Sequence, residues 1–201
     1  MRLEGYDNLK NAAAVPFQPE KYCLILSQGT FPTQEQLNGL STSKERKSWF
    51  KQWYKFIGGE WLECWVGMQI GELALEPAPE ITVGVNAYRG SKEVQLEVDV
   101  AVVRGHRSYF ISCTTDATKP VCKSKLFEIA VRSRQLGGDL ARAALVCLAN
   151  EATVSALQAE IDDVWGSSNT TRVFGLSEIR AWSDCGGKVQ DRHSLKTWIE
   201  S

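Results

Sequence analysis

Histidine and methionine are scarce in this chain, with two of each in 201 residues. His106 sits at a glycine turn and His193 in the tail, so a zinc site built on clustered imidazoles is excluded. None of the six cysteines (23, 64, 113, 122, 147, 185) forms a C-x-x-C pair. Scattered cysteines of this kind are expected to be reduced and mostly buried, as in a cytosolic protein. No apolar run approaches the ~20 residues that cross a bilayer, and no stretch has the form of a secretory leader. The expectation is a cytoplasmic protein with no membrane partner. Excess charge is also missing: 23 basic residues stand against 24 acidic ones, a net charge of -1. No global basic field announces nucleic acid, so any such contact must come from a local patch. Internal repeats and low-complexity tracts are absent. What remains, 43% hydrophobic and 23% charged, is an ordinary globular composition. The length fits one domain with a small appendage, divided here into an N-terminal extension, 1–42, and an α/β domain, 43–201.

Along the chain, Tyr22 to Ser27 (YCLILS) has the form of a short strand. Thr42-x-x-Glu45 has the form of a capping box, in which a hydroxyl and a carboxylate satisfy free N–H groups at a helix start. It opens a predicted helix from Ser43 to about Ile57. Helical spacing gathers Lys44, Lys47, Lys51 and Lys55 on one face and Trp49, Phe50, Trp53 and Phe56 on the other. Such a face can grip a phosphate backbone, and it can equally be a solvated surface over an aromatic core stripe. Gly58-Gly59 interrupts the pattern, and a largely buried helix follows from Glu60 to about Leu73. Ile81 to Tyr88 reads as a strand. After the central hairpin come a helix from about Val121 to Leu136, a strand buried on both faces at Ala143 to Leu148, and a helix from Glu151 to about Val164. A strand at Val173 to Gly175, a short helix from Ser177 and a polar tail helix ending in Trp198 complete the chain.

The run from Glu93 to Thr115 (EVQLEVDVAVVRGHRSYFISCTT) is the centre of this layout. It reads as two strands joined at Arg104-Gly105-His106-Arg107, where Gly105 supplies the freedom a tight turn needs. A loop of two or of four residues gives the same register, with Asp99 opposite Ser112 and Glu97 opposite Thr114. Opposed residues share a face, as do residues two apart on one strand. One patch then holds Glu97, Asp99, Ser112 and Thr114, and the opposite face takes Leu96, Val98, Val100, Val102, Tyr109, Ile111 and Cys113. Two acids side by side on a core hairpin repel each other, and a cation between them relieves that repulsion. Cys113, alternating inward, is expected in the core and not as a nucleophile.

The element order is therefore helix, three strands, helix, strand, helix, strand. A meander that passes into parallel strands through a crossover helix makes an α/β sheet flanked by helices. The motifs GGEWLECWV, EVDVAVV, YFISCTT and KLFEIAVRSRQLGGDLARAALVC, spanning roughly residues 58 to 148, resemble the nuclease domain of the ancillary effectors of type III CRISPR systems. Those proteins carry a PD-(D/E)XK nuclease domain behind a cyclic-oligoadenylate-sensing domain. The resemblance implies a restriction-endonuclease-like fold, with a mixed sheet between helices. It also implies an acid on the early helix, an aspartate on one strand and an E-x-K on the next, around Mg²⁺ or Mn²⁺. Carried over, these are Glu63, Asp99 and the positions of Ser112 and Thr114.

At the last two the pattern departs, since serine replaces the glutamate and threonine the lysine. Neither hydroxyl brings charge at neutral pH. Glu97 could supply the second carboxylate, giving a metal set of Glu63, Glu97 and Asp99, and Lys123 or Lys125 could bring an ammonium from the following helix. Lys47, Lys51, Lys55, Arg132 and Arg134 are the candidate nucleic-acid contacts. Residues 1–42 are too few for the sensing domain, which fits a stand-alone relative or a trimmed chain. Two readings follow: a degenerate nuclease-fold protein of an antiviral system that binds nucleic acid or protein, and an active metal-dependent endonuclease on DNA or RNA with a rearranged site. A homodimer or a separate sensor subunit is the partner either reading allows.

Overall fold

A computed structural model describes residues 56–87, 96–165, 170–183 and 191–201. The N-terminal extension, the YCLILS strand and the basic helix with Lys47, Lys51 and Lys55 lie outside the described residues, as do Cys23 and Cys185. A short π turn, Phe56–Glu60, leads into helix α1 (Trp61–Gly71). Gly59 within this turn is non-helical, so the helical path does break at the glycine pair. Then come β1 (Glu80–Ala87), β2 (Leu96–Arg104), β3 (Arg107–Thr114), α2 (Lys119–Gly137), β4 (Arg142–Cys147), α3 (Glu151–Trp165), β5 (Thr171–Phe174), α4 (Leu176–Trp182) and α5 (His193–Glu200). Helix α2 starts two residues before the expected Val121 because Pro120 lies in its first turn, where a missing N–H costs nothing.

The five strands lie in sequence order, with β1–β2 and β2–β3 antiparallel and β3–β4 and β4–β5 parallel. This is the mixed α/β sheet that the element order predicts. The hairpin register is the expected one: Val100 pairs with Ile111 and Arg104 with Arg107, which leaves Gly105-His106 as a two-residue loop. Gly105 has φ 61° and no other residue type in the described chain has a positive φ. A positive φ at the first loop position alone is the signature of a type II′ turn, whose twist matches the strands.

Helices cover both faces. Leu62, Cys64, Val66 and Ile70 of α1, with Ile179 and Trp182 of α4 and Leu195, Trp198 and Ile199 of α5, pack on Val100, Val102, Tyr109, Ile111, Ala144 and Val146. On the other face, Cys122, Leu126 and Ala130 of α2 and Leu157 and Ile161 of α3 meet Leu145, Cys147 and Val173. Strand β4 is thus buried on both sides, as its unbroken apolar run predicts. The tail helix is not the polar element expected from its sequence. Leu195, Trp198 and Ile199 form a buried stripe, and the hairpin grips its end. Tyr109 donates its hydroxyl proton to the Ile199 carbonyl (2.6 Å), Arg104 reaches the same carbonyl (3.4 Å), and Arg107 donates to the Ser201 carbonyl. Cations and donors at a helix C-terminus answer carbonyls that have no partner inside the helix.

One feature of the sheet overturns the simple alternation. Val83 and Val100 pair and lie in the α1-side core, while Val85 and Val98 pair and lie against Phe110, Ile129 and Ala143 on the α2 side. Residues two apart on a strand normally share a face, so both strands turn over at Gly84 and Asp99, which face each other between these pairs. Gly84 takes φ 72° there, a backbone angle that glycine adopts without a Cβ clash. The assignment of Val98 to the same face as Val100 is corrected accordingly.

Candidate functional site

The turn-over at Asp99 opens the site. In β3 the Cys113 N–H points toward β2, where the ladder would offer it a backbone carbonyl. Pairing between β2 and β3 instead runs from Arg104–Arg107 to Val100–Ile111, and beyond that point the Asp99 side chain takes over. Its Oδ2 accepts the Cys113 N–H (2.6 Å) and the Ser112 hydroxyl (2.9 Å). Asp99 and Ser112 are both buried. A buried carboxylate is held in place by such donors, and charge-assisted bonds of this kind are among the stronger ones. Asp99 therefore closes the gap where two strands part.

Around this bond the elements bring further sequence-predicted residues. Burial pushes the Cys113 thiol well above its ordinary range; the nearby Asp99, Glu63 and Cys64 push in the same direction, and Lys125 opposes them. Glu63 from the first turn of α1, Asp99 from β2 and Lys125 from the second turn of α2 thus all act electrostatically on this one buried thiol. The thiol itself is neutral and inert, as expected of a core cysteine. Cys64, Cys122 and Cys147 are also free and buried.

The remaining candidates have other occupations. Thr114, at the position of the family lysine, accepts the Asp116 N–H on its hydroxyl (3.1 Å). Asp116 in turn accepts the Thr118 N–H (2.6 Å), and its hydrogen bonds to Thr118 lower its pKa. This small turn fixes the entry to α2. Lys123 points away from Asp99, to Glu160 of α3 (2.7 Å), which Lys119 also meets (2.7 Å). Glu97 is exposed, and its backbone carbonyl accepts from Arg132 (2.5 Å), which also pairs with Glu128 (2.5 Å). Arg134 is exposed at the end of α2 and lines a shallow recess with Ser133, Asp139, Trp165 and Thr171. Among the described residues no group of three or more His, Cys, Asp or Glu is arranged to hold a metal ion.

The residue that the sequence did not single out is Gly84. An isolated glycine inside a strand pattern is a signal for a bulge or a turn-over, and here it sits across from Asp99.

The fold is thus a mixed α/β sheet between two helical layers. No protein-family model matches the sequence, and no curated protein matches it. Among solved structures the chain is similar to protein VC1899 from Vibrio cholerae, at 22% identity with a TM-score of 0.48. That match covers 70% of this chain and 34% of the other, so this chain spans about a third of that protein's length.

Proposed function

We propose that this chain is a restriction-endonuclease-like module that has kept the nuclease scaffold, lost hydrolysis, and works by binding nucleic acid within a CRISPR-type antiviral system. The observation that carries this reading is the Ser112–Asp99 hydrogen bond. Ser112 stands where the sequence resemblance implies a second metal-binding carboxylate. In its place is a donor that occupies the oxygen of the first. Asp99 Oδ2 accepts two hydrogen bonds, and the sulfur beside it is a neutral thiol, which is a poor partner for a hard cation. Mg²⁺ or Mn²⁺ binds best to several converging anionic oxygens, and the donor set at Asp99 does not fit that demand. The threonine at the lysine position serves the α2 turn. Both departures from the E-x-K thus have structural work in this chain.

A second reading rests on a different observation. Glu63, Asp99 and Lys125 all act on the Cys113 thiol, and two acids and a cation drawn from three elements are the charges a hydrolytic site needs. In that reading a metal-dependent endonuclease would use Lys125, not Lys123, as its cation.

The test is incubation with single- and double-stranded DNA and RNA in Mg²⁺ or Mn²⁺, with binding followed by fluorescence anisotropy. The proposed function predicts salt-dependent binding and no cleavage above the level of Asp99→Ala. Metal-dependent cleavage that disappears in Asp99→Ala would establish the second reading instead. Absence of any binding would move the search to protein partners.

A further inference from the structure

Among the described residues β5 borders no strand beyond β4, so it is an edge. Its two sides can be told apart from its hydrogen bonds. The Thr170 carbonyl accepts the Ala143 N–H of β4 (2.7 Å), so along the strand Arg172 also turns its polar backbone groups toward β4. Those of Thr171 and Val173 face outward. Outward-facing N–H and C=O groups on an edge are a template for another strand.

In this chain one side chain answers both. Gln158 of α3 accepts the Val173 N–H on its Oε1 (3.0 Å) and donates from Nε2 to the Thr171 carbonyl (3.1 Å). A strand pairing with β5 would make the same two bonds, one accepting and one donating, to the same two residues. The second Nε2 proton goes to Asp162 Oδ1 (3.0 Å), one turn further along α3. Asp162 accepts only, so it holds the amide in the orientation that matches the edge.

We propose that Gln158 acts as a surrogate strand that closes the β5 edge against a second copy of this chain. The segment behind it would otherwise favour pairing. Thr171 and Val173 are β-branched, and Val173 and Phe174 are buried, so the strand is firmly held and correctly extended for an incoming partner. Strand addition at such an edge draws its affinity from main-chain hydrogen bonds, and Gln158 already occupies them.

The experiment uses the full chain with Gln158→Met, which keeps the side-chain length and removes both polar atoms, and Gln158→Glu, which keeps an acceptor for Val173 N–H and loses the donor. Mass is followed by light scattering across a concentration series, and the Val173 amide by hydrogen exchange. For dilute Gln158→Met, exchange at Val173 is expected to be about tenfold faster than in wild type, the worth of one hydrogen bond. As concentration rises, mass should increase above the wild-type value and Val173 protection should return together with it. Gln158→Glu should fall between the two. If Gln158→Met does not fold, Gln158→Glu carries the same two readouts. Wild-type mass at every concentration in the folded variant, whether or not Val173 exchanges faster, would overturn the proposal. Association that leaves Val173 unprotected would overturn it too.

Discussion

Replacing Asp99 by alanine separates a structural carboxylate from a catalytic one by the sign of a stability change. In the structure the Asp99 carboxylate receives the Cys113 N–H at 2.6 Å and the Ser112 hydroxyl at 2.9 Å. Alanine leaves both donors buried without that acceptor. Hydrogen bonds to a charged group are worth about 1.5–3 kcal/mol, and a stranded buried donor costs about 1–3 kcal/mol. These overlap, so they do not add in full. The net expectation is a destabilisation of about 3 kcal/mol. For a chain of this size that lowers Tm by roughly 6–12 °C. Urea denaturation and a thermal melt read the effect directly, and hydrogen exchange at the Cys113 amide places it. Asp99→Asn keeps one acceptor oxygen and should lose about 1 kcal/mol. An acid held among like charges for the sake of chemistry behaves the other way, because its removal relaxes the fold. A neutral or stabilising Asp99→Ala would therefore refute the structural role given to this residue.

The grip of the hairpin on α5 predicts that Tyr109→Phe, which keeps the edge contact with Trp198 (5.3 Å between ring centres), loses about 1 kcal/mol by urea denaturation. Wild-type stability would show that the Ile199 carbonyl is satisfied without the phenol. Glu160 is the pH-sensitive clasp of α2 to α3. Its hydrogen bonds to Lys119 and Lys123 lower its pKa from 4.5 to about 2. A depressed folded pKa contributes stability that is present above 4.5 and lost as pH falls toward 2. The stability difference between wild type and Glu160→Gln should shrink across that window in an acid series; a difference constant with pH would contradict the clasp. Burial pushes Cys147 up to about 12 and raises Cys113 and Cys122 as well. Native protein treated with iodoacetamide near neutral pH should be unlabelled at Cys113, Cys122 and Cys147 by peptide mass spectrometry, and labelled at all three in urea. Fast native labelling of Cys113 would show an accessible thiolate.

Much of the sheet could be read from sequence because local signals fix it. Gly105 between a valine-rich run and an aromatic one sets the hairpin register, and Ala143 to Cys147 has the unbroken apolarity of a strand covered on both faces. The site was less legible. Alternation assumes that a strand keeps one parity, and nothing in EVDVAVV records that the chain turns over at Asp99; that information lies in Gly84, on a different strand. Val98 was placed on the face of Val100 for this reason. Lys123 and Lys125 are likewise equivalent on the α2 sequence. They are told apart by Glu160, a residue on α3 that captures one of them after the helices dock. The tail helix was misread because Leu195, Trp198 and Ile199 are only three apolar residues, yet they fall on one stripe at helical spacing.

The most direct test of the account is a calorimetric titration of Mn²⁺, and then Mg²⁺, into wild type and Asp99→Ala. With Asp99 committed to Ser112 and Cys113, the two proteins should give the same heats, with no saturable component that depends on Asp99. Saturable binding in wild type that vanishes in Asp99→Ala would contradict the account and make the acid cluster a metal centre.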